Sequence, residues 1–170
     1  KVKVVSGPVT VKLDHPNVEI IPVTSANQMF ESTKENLSGA DIVILCAAVA
    51  DFTVAEKADK KIKREKSDYQ LTLTPTQDIA AWVGANKRSG TFLTGFALET
   101  NDELENAKGK LKRKNLDMIV ANDVTRPGAG FDVNTNIVTF VTADELTELP
   151  LMSKDDVADR ILDQILTLRK

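Results

Sequence analysis

The sequence predicts an α/β protein: a mostly parallel sheet with helices on both faces and an antiparallel hairpin towards its C-terminal end. Three observations predict it. The runs Asp41–Val49, Thr91–Leu98 and Leu116–Ala121 are almost continuously apolar, as expected of strands covered on both faces. Segments of helical periodicity fall between such runs, which implies right-handed crossovers. Asn136–Val141 and Leu146–Leu151 then follow one another as two short β-like segments.

In chain order, Val2–Val5 reads as a strand ended by the turn residues Ser6-Gly7-Pro8, and Val18–Val23 as a second strand. Ser25 has the character of a helix N-cap, with Gln28 three residues on in the capping-box position. Met29, Phe30, Thr33 and Leu37 give that helix an inward stripe. Asp41–Val49 reads as a central parallel strand, Tyr69–Leu73 as another strand, and about Gln77 to Asn86 as a helix. After Thr91–Leu98 a helix begins near Thr100, with Glu103 completing a second capping box and Leu104, Ala107 and Leu111 on one face. The final helix starts at Ser153, and Val157, Ile161, Leu162, Ile165 and Leu166 recur along it at helical spacing. No repeat, low-complexity tract or linker appears, so residues 1–170 are expected to form one domain.

Composition excludes several classes. A net charge of −3 argues against general affinity for nucleic acid. No apolar run approaches the roughly 20 residues needed to span a bilayer. One histidine and one cysteine leave no His/Cys metal set, and Cys46 has no internal disulfide partner, so a reducing cytoplasm is the expected compartment. Half of the 22 basic residues fall in two clusters: Lys57, Lys60, Lys61, Lys63, Arg64 and Lys66, then Lys108, Lys110, Lys112, Arg113 and Lys114. On a mildly acidic chain these read either as solvated faces or as contacts for a small polyanion such as a nucleotide.

In sheets of this kind ligands bind beyond the carboxyl ends of strands, here after Val49, Leu98 and Ala121. Cys46-Ala47-Ala48-Val49-Ala50-Asp51-Phe52 offers small side chains that let a flat ligand reach the backbone, and Asp51 could accept from a ribose hydroxyl or an exocyclic amine. A packed strand end with a solvated Asp reads equally well. Lys61 lies between two strand-like segments, on a loop or flap that could close over a phosphate, or that is simply a soluble loop. Thr74-Pro75-Thr76-Gln77-Asp78-Ile79 opens a helix, whose free N–H groups attract phosphate; Thr76 or Gln77 could equally be an ordinary cap. Gly95 would permit close approach, and Phe96 offers either a ring for a base to stack on or core packing. Lys110 and Lys114 share a helix face, where their mutual repulsion would be offset by a bound triphosphate. Asn122-Asp123 closes the next strand.

The ordered set AAVADF, KIK, PTQDI, GFALET and KLKRKNLDMIVAND resembles, in order and spacing, the motifs of the phosphopantothenoylcysteine synthetase (phosphopantothenate–cysteine ligase) family. The resemblance runs from Val5-Ser6-Gly7-Pro8 to the final helix. It implies a Rossmann-like dimeric fold and CTP as nucleotide. It implies that Cys46, Ala47, Ala48 and Asp51 contact CTP, and that Gln77, Asp78, Ile79, Ala80, Phe96, Lys110 and Lys114 complete the pocket. Lys61 matches the family's functional flap lysine, which carries a catalytic role as well as a CTP contact. The implied partners are phosphopantothenate, cysteine, CTP and Mg²⁺, whose protein ligands are not specified, together with a second copy of the chain. In many bacteria the family's domain is fused behind a flavin-dependent decarboxylase.

The implied reaction has the phosphopantothenate carboxylate attack the α-phosphate of CTP, giving an acyl cytidylate and pyrophosphate; the cysteine amine then displaces CMP. Cys46 is not required as a nucleophile. The family's N-terminal glycine-rich turn and Asn-x-Ser-Ser-Gly segment have no counterpart in these residues. Either a segment preceding Lys1 or an exposed groove beside Asp41–Val49 is therefore expected. Two other classes share the architecture: a nicotinamide-dependent oxidoreductase, although no G-x-G-x-x-G occurs here, and a non-catalytic nucleotide-binding domain with no use for Lys61.

Overall fold

The computed structural model describes residues 1–10, 13–58, 60–63, 68–99, 104–123, 126–130 and 133–169. In chain order the elements are β1 (Val2–Ser6), β2 (Val18–Pro22), α1 (Ala26–Leu37), β3 (Ile42–Leu45), β4 (Phe52–Val54), β5 (Leu73–Pro75), α2 (Ile79–Asn86), β6 (Phe92–Glu99), α3 (Leu104–Arg113), β7 (Met118–Asp123), β8 (Thr135–Asn136), β9 (Val138–Val141), β10 (Leu146–Glu148), β11 (Met152–Ser153) and α4 (Lys154–Leu168). They divide into two compact units: Lys1–Thr33 with Ala48–Asp78, and Lys34–Ala47 with Ile79–Lys170.

In the first unit β1 and β2 pair in parallel from Val2↔Val18 to Ser6↔Pro22, and the Val23 N–H extends the ladder to the Ser6 carbonyl at 2.8 Å. The start of α1 is capped as its sequence suggests, but with the box displaced by one residue. The Ser25 hydroxyl accepts from the Gln28 N–H at 3.2 Å, whereas Gln28 Oε1 accepts from the N–H of Thr24 at 2.8 Å. Phe30 is buried. The unit also contains an antiparallel ribbon, Phe52↔Pro75 to Val54↔Leu73, prolonged by the Ala55 N–H to the Thr72 carbonyl at 2.9 Å. The strand expected over Tyr69–Leu73 thus lies at Leu73–Pro75, because its register is set by a partner, β4, that no local pattern announces.

The second unit holds a five-stranded sheet in the order β10-β9-β7-β6-β3. Strands β3, β6 and β7 are mutually parallel, and β9 and β10 are antiparallel. Alternation along β6 and β7 sends Phe92, Met118 and Val120 to one face, where they join Val138 and Phe140 of β9 under Val157, Ile161 and Ile165 of α4. Leu93, Ile119, Ala121 and Val141 face the other way. Ala107 and Leu111 of α3 cover the last three, and Val83 of α2 with Leu37 covers Leu93. Helices therefore lie on both faces, and this is why β6 and β7 show no polar alternation.

Each fully buried aliphatic side chain here contributes about 1.5–3 kcal/mol. Ile165, wholly inaccessible, should cost about 2–5 kcal/mol on truncation to alanine. Ser153 caps α4, accepting from the Asp156 N–H at 3.0 Å, with Asp155 and Asp156 in the first turn suited to the helix dipole.

Three expectations need correction. The strand expected over Asp41–Val49 ends at Leu45 and is an edge of this sheet, since β6 is its sole partner among the described residues. Its alternation is lost because Ile42 packs against one apolar cluster and Val43 and Leu45 against another; hydropathy reports covered faces, not lateral pairing. Leu162 and Leu166 remain exposed beside the inward Val157–Ile161–Ile165 stripe, which a helix can satisfy at i, i+4, i+8 without them. The hairpin is the shorter pair Val138–Val141 with Leu146–Glu148, and its outer ends separate into β8 and β11. The proposed cap and box residues Thr100 and Glu103, and the cluster members Arg64 and Lys66, lie outside the described residues.

Candidate functional site

The first unit brings two of the sequence motifs together. Phe52 and Pro75 are register partners, so the AAVADF segment and the start of PTQDI run side by side. The Thr76 hydroxyl donates to the Ala50 carbonyl at 2.6 Å, and the Thr76 N–H donates to the Asp51 carbonyl at 2.8 Å. Thr76 is thus a tie between the two motifs; α2 begins three residues later, at Ile79. Ala48 and Asp51 are exposed on one side of this tie, and Gln77 and Asp78 are exposed beside Thr76. Lys61 is exposed in the connection between β4 and β5, beyond the paired ends of the ribbon. Asp51 immediately precedes β4, the strand from which this connection leaves.

In the second unit Cys46 and Ala47 follow directly on β3, outside the strand, and both are exposed. Ile79 and Ala80 form the half-buried first turn of α2. Phe96 lies opposite Val120 on the face that α4 covers lower down, yet it retains 39% of its accessibility, as do Leu98 at 49% and Ile44 at 37%. An aromatic ring left this open near strand carboxyl ends can receive a flat ligand. Two further side chains share its face, by strand alternation and the register Leu98↔Asn122. The Thr94 hydroxyl and the Asn122 side-chain carbonyl oxygen are buried and have no hydrogen-bond partner among the described residues. Neither was singled out by sequence for this reason, because an unsatisfied atom becomes visible only once its neighbours are known.

Gly95 plays a different part from the one its sequence context suggests. A side chain there would meet Leu116 Cδ1 at 3.1 Å, so its missing Cβ admits Leu116 and not a ligand.

Lys110 and Lys114 are both half-buried, and the Lys114 N–H donates to the Lys110 carbonyl at 2.9 Å, one turn back. Lys114 stands four residues before β7, so the pair lies towards that strand's amino end, whereas Phe96 and Cys46 lie towards carboxyl ends. The segment is anchored by a residue that the motif reading passed over. Asn115 adopts a left-handed backbone (φ 49°), and its side-chain amide donates to the Gly84 carbonyl of α2 at 2.7 Å. An asparagine after the last helical residue is a recognisable termination signal, so this one could have been found by sequence.

Among the described residues no group of three or more His, Cys, Asp and Glu side chains could hold a metal ion. No helix among them is long and apolar enough to cross a membrane.

Residues 1–168 match the family described as the DNA/pantothenate metabolism flavoprotein C-terminal domain. The chain belongs to that family. Among curated proteins, a cysteine/cysteine sulfinic acid decarboxylase from an unknown prokaryotic organism is 47% identical over 99% of this chain and 47% of its own length. The coenzyme A biosynthesis bifunctional protein CoaBC of Bacillus subtilis is 46% identical over 100% of this chain and 42% of its own. The chain therefore spans less than half the length of these curated relatives. Among solved structures, the C-terminal domain of a CoaBC protein superposes with a TM-score of 0.75 at 39% identity, covering 98% of this chain and 75% of that one. The DNA/pantothenate metabolism flavoprotein from Streptococcus pneumoniae shares the fold, with a TM-score of 0.79 at 23% identity over 97% of this chain and 80% of that one.

Proposed function

We propose that this chain supplies the ligase step of coenzyme A biosynthesis, joining 4′-phosphopantothenate to L-cysteine with conversion of CTP to CMP and pyrophosphate. The observation that carries this reading is the match of the whole of this chain, at 46% identity, to 42% of a bifunctional coenzyme A biosynthesis protein, beside the five motifs that this sequence carries in order. The match lies in one portion of that protein. We propose that the full-length protein likewise joins this chain to a flavin-dependent phosphopantothenoylcysteine decarboxylase domain, in the cytoplasm.

An amide forms in water only from an activated carboxyl group. In the first step the phosphopantothenate carboxylate oxygen bonds to the α-phosphorus of CTP and the bond to pyrophosphate breaks. In the second, the cysteine nitrogen bonds to the acyl carbon, CMP departs with the acyl C–O electrons, and the amine loses a proton. In this reading the backbone at Cys46, Ala47 and Ala48, the Asp51 carboxylate, residues Gln77–Ala80 and Phe96 are the nucleotide contacts. Lys110 and Lys114, which lie towards the amino end of β7, act on the outer phosphates, away from the nucleoside, and screen them against the incoming carboxylate. Lys61 stabilises the oxyanion that forms as the amine adds; a charged donor preorganised where charge develops is the strongest device a site of this kind has. Mg²⁺ would enter on the phosphates, neutralising their charge while keeping most of its waters, which needs no protein cage.

The exposed Phe52, Tyr69, Leu71 and Leu73 on and beside the β4–β5 ribbon are suited to burial against a second copy of the chain, and we assign a homodimer on that ground.

The test is pyrophosphate release by the full-length protein given CTP, Mg²⁺, phosphopantothenate and cysteine. Release that requires phosphopantothenate supports the ligase and excludes a mere nucleotide-binding domain; none at all would sink it. Stabilisation against heat by NADPH and not by CTP would favour an oxidoreductase. The name of the decarboxylase relative favours a second reading, in which the full-length protein removes CO₂ from cysteine or cysteine sulfinate. CTP-independent CO₂ release from either compound, without pyrophosphate, would decide for it.

A further inference from the structure

We propose that Asn115 is a positioning residue for the lysine pair, setting where Lys110 and Lys114 stand by locking the end of α3 onto α2. The proposal rests on the reading of that pair as the phosphate-binding group.

The lock has three parts, all in the second unit. The first is a helix stop. The Leu116 N–H donates to the Leu111 carbonyl at 3.0 Å and the Asn115 N–H to the Lys112 carbonyl at 3.3 Å. With Asn115 left-handed between them, this is the Schellman arrangement, and Leu116 packs back on the cluster that contains Leu111. The second is the side-chain bond from Asn115 to the Gly84 carbonyl at 2.7 Å, which joins two helices 31 residues apart in sequence. The third is a close backbone approach. A Cβ on Gly84 would collide with the Lys114 carbonyl and come within 3.2 Å of Asn115 Cβ, so α2 and the Lys114 peptide touch only because residue 84 has no side chain. Gly84 is itself buried.

A phosphate group is held well only by cations whose stems start from fixed points, since each freely rotating lysine loses conformational entropy on binding. Lys110 is one turn from this lock and Lys114 is inside it. Most residues would pay for the left-handed conformation at position 115; glycine and asparagine do so least, and of these only asparagine can also donate to Gly84. The choice of asparagine over glycine is explained by the second helix.

Asn115→Gly isolates that bond, because glycine preserves the helix stop. In the full-length protein, CTP and CMP are titrated calorimetrically against the parent, Asn115→Gly and Lys114→Ala, with thermal melts of each. We expect Asn115→Gly to melt close to the parent, to bind CTP several-fold more weakly and to leave CMP affinity unchanged, as Lys114→Ala also does. Equal weakening of both nucleotides, or an unchanged preference for CTP, would overturn the positioning role. If Lys114→Ala alone lowers the CTP preference, only the role of Asn115 fails. If neither variant does, the phosphate reading of the pair fails with it.

Discussion

The hydroxyl of Thr76 donates to the carbonyl of Ala50 across 26 residues of sequence, at 2.6 Å, and fixes the exposed Ala48–Asp51 segment against the approach to α2. Thr76→Val keeps the branched shape and removes the donor. The lost bond should cost about 1 kcal/mol in denaturant unfolding. CTP should bind more weakly as the segment loosens, and Thr76→Ser should recover both. CTP affinity indifferent to Thr76→Val would show that the Ala48–Asp51 backbone is not part of the nucleotide site.

Lys61→Gln should slow the cysteine-dependent step by about 100-fold or more, the scale on which an oxyanion donor is missed, with little effect on cytidylate formation. Mass spectrometry of quenched reactions should then show the acyl cytidylate accumulating. Absence of both intermediate and product would move Lys61 to the first step or to folding.

Lys110→Ala and Lys114→Ala should each weaken CTP more than CMP, since their partners are the outer phosphates. Their effects should shrink as salt is raised, in keeping with partly screened charges. Losses equal for the two nucleotides would assign the pair to the ribose or base side, or to helix stability.

Asp117 makes a separate prediction about stability. Its Oδ2 accepts from the Leu93 N–H at 2.7 Å and from Lys87 Nζ, whose side chain is only 9% exposed. Asp117→Ala would strand an almost buried ammonium and a strand N–H, for an expected loss of about 2–4 kcal/mol. Lys87→Met, which removes the charge but keeps a stem of similar length, should cost less. Chemical denaturation of both variants checks the order; a larger loss for Lys87→Met would mean that the contact with Leu93 contributes little.

Much of the architecture was legible because burial on both sides of a strand writes itself into composition: β6, β7 and α4 fall within two residues of where periodicity put them. Pairing does not write itself in the same way. The position of β3 at a sheet edge and the union of β4 with β5 depend on partners 50 and about 20 residues away. The motifs around Asp51, Lys61 and Phe96 were visible as residue types; the structure puts Asp51 just ahead of β4, Lys61 in the β4–β5 connection and Phe96 within β6. What sequence concealed were the side chains that act on backbone. Thr76 looked like a cap and Gly95 like an opening for ligand, because the groups they meet lie on other elements; Asn115 carried a helix-termination signal, but its bond to Gly84 was not visible.

The contact between Gly95 and Leu116 has a consequence for how the chain avoids misfolding. Parallel strands tolerate slippage poorly, since a shift of one residue exchanges the two faces of the sheet. Here the penalty is sharpened by a single notch. Only position 95 of β6 lacks a side chain, and the leucine that fills it comes from the segment leading into β7. If β7 slipped along β6 by the two residues that preserve its faces, Leu116 would meet Leu93 or Ala97, the side chains on either side of Gly95 on the same face, in place of the gap. The pair therefore favours one alignment of the two strands over its neighbours.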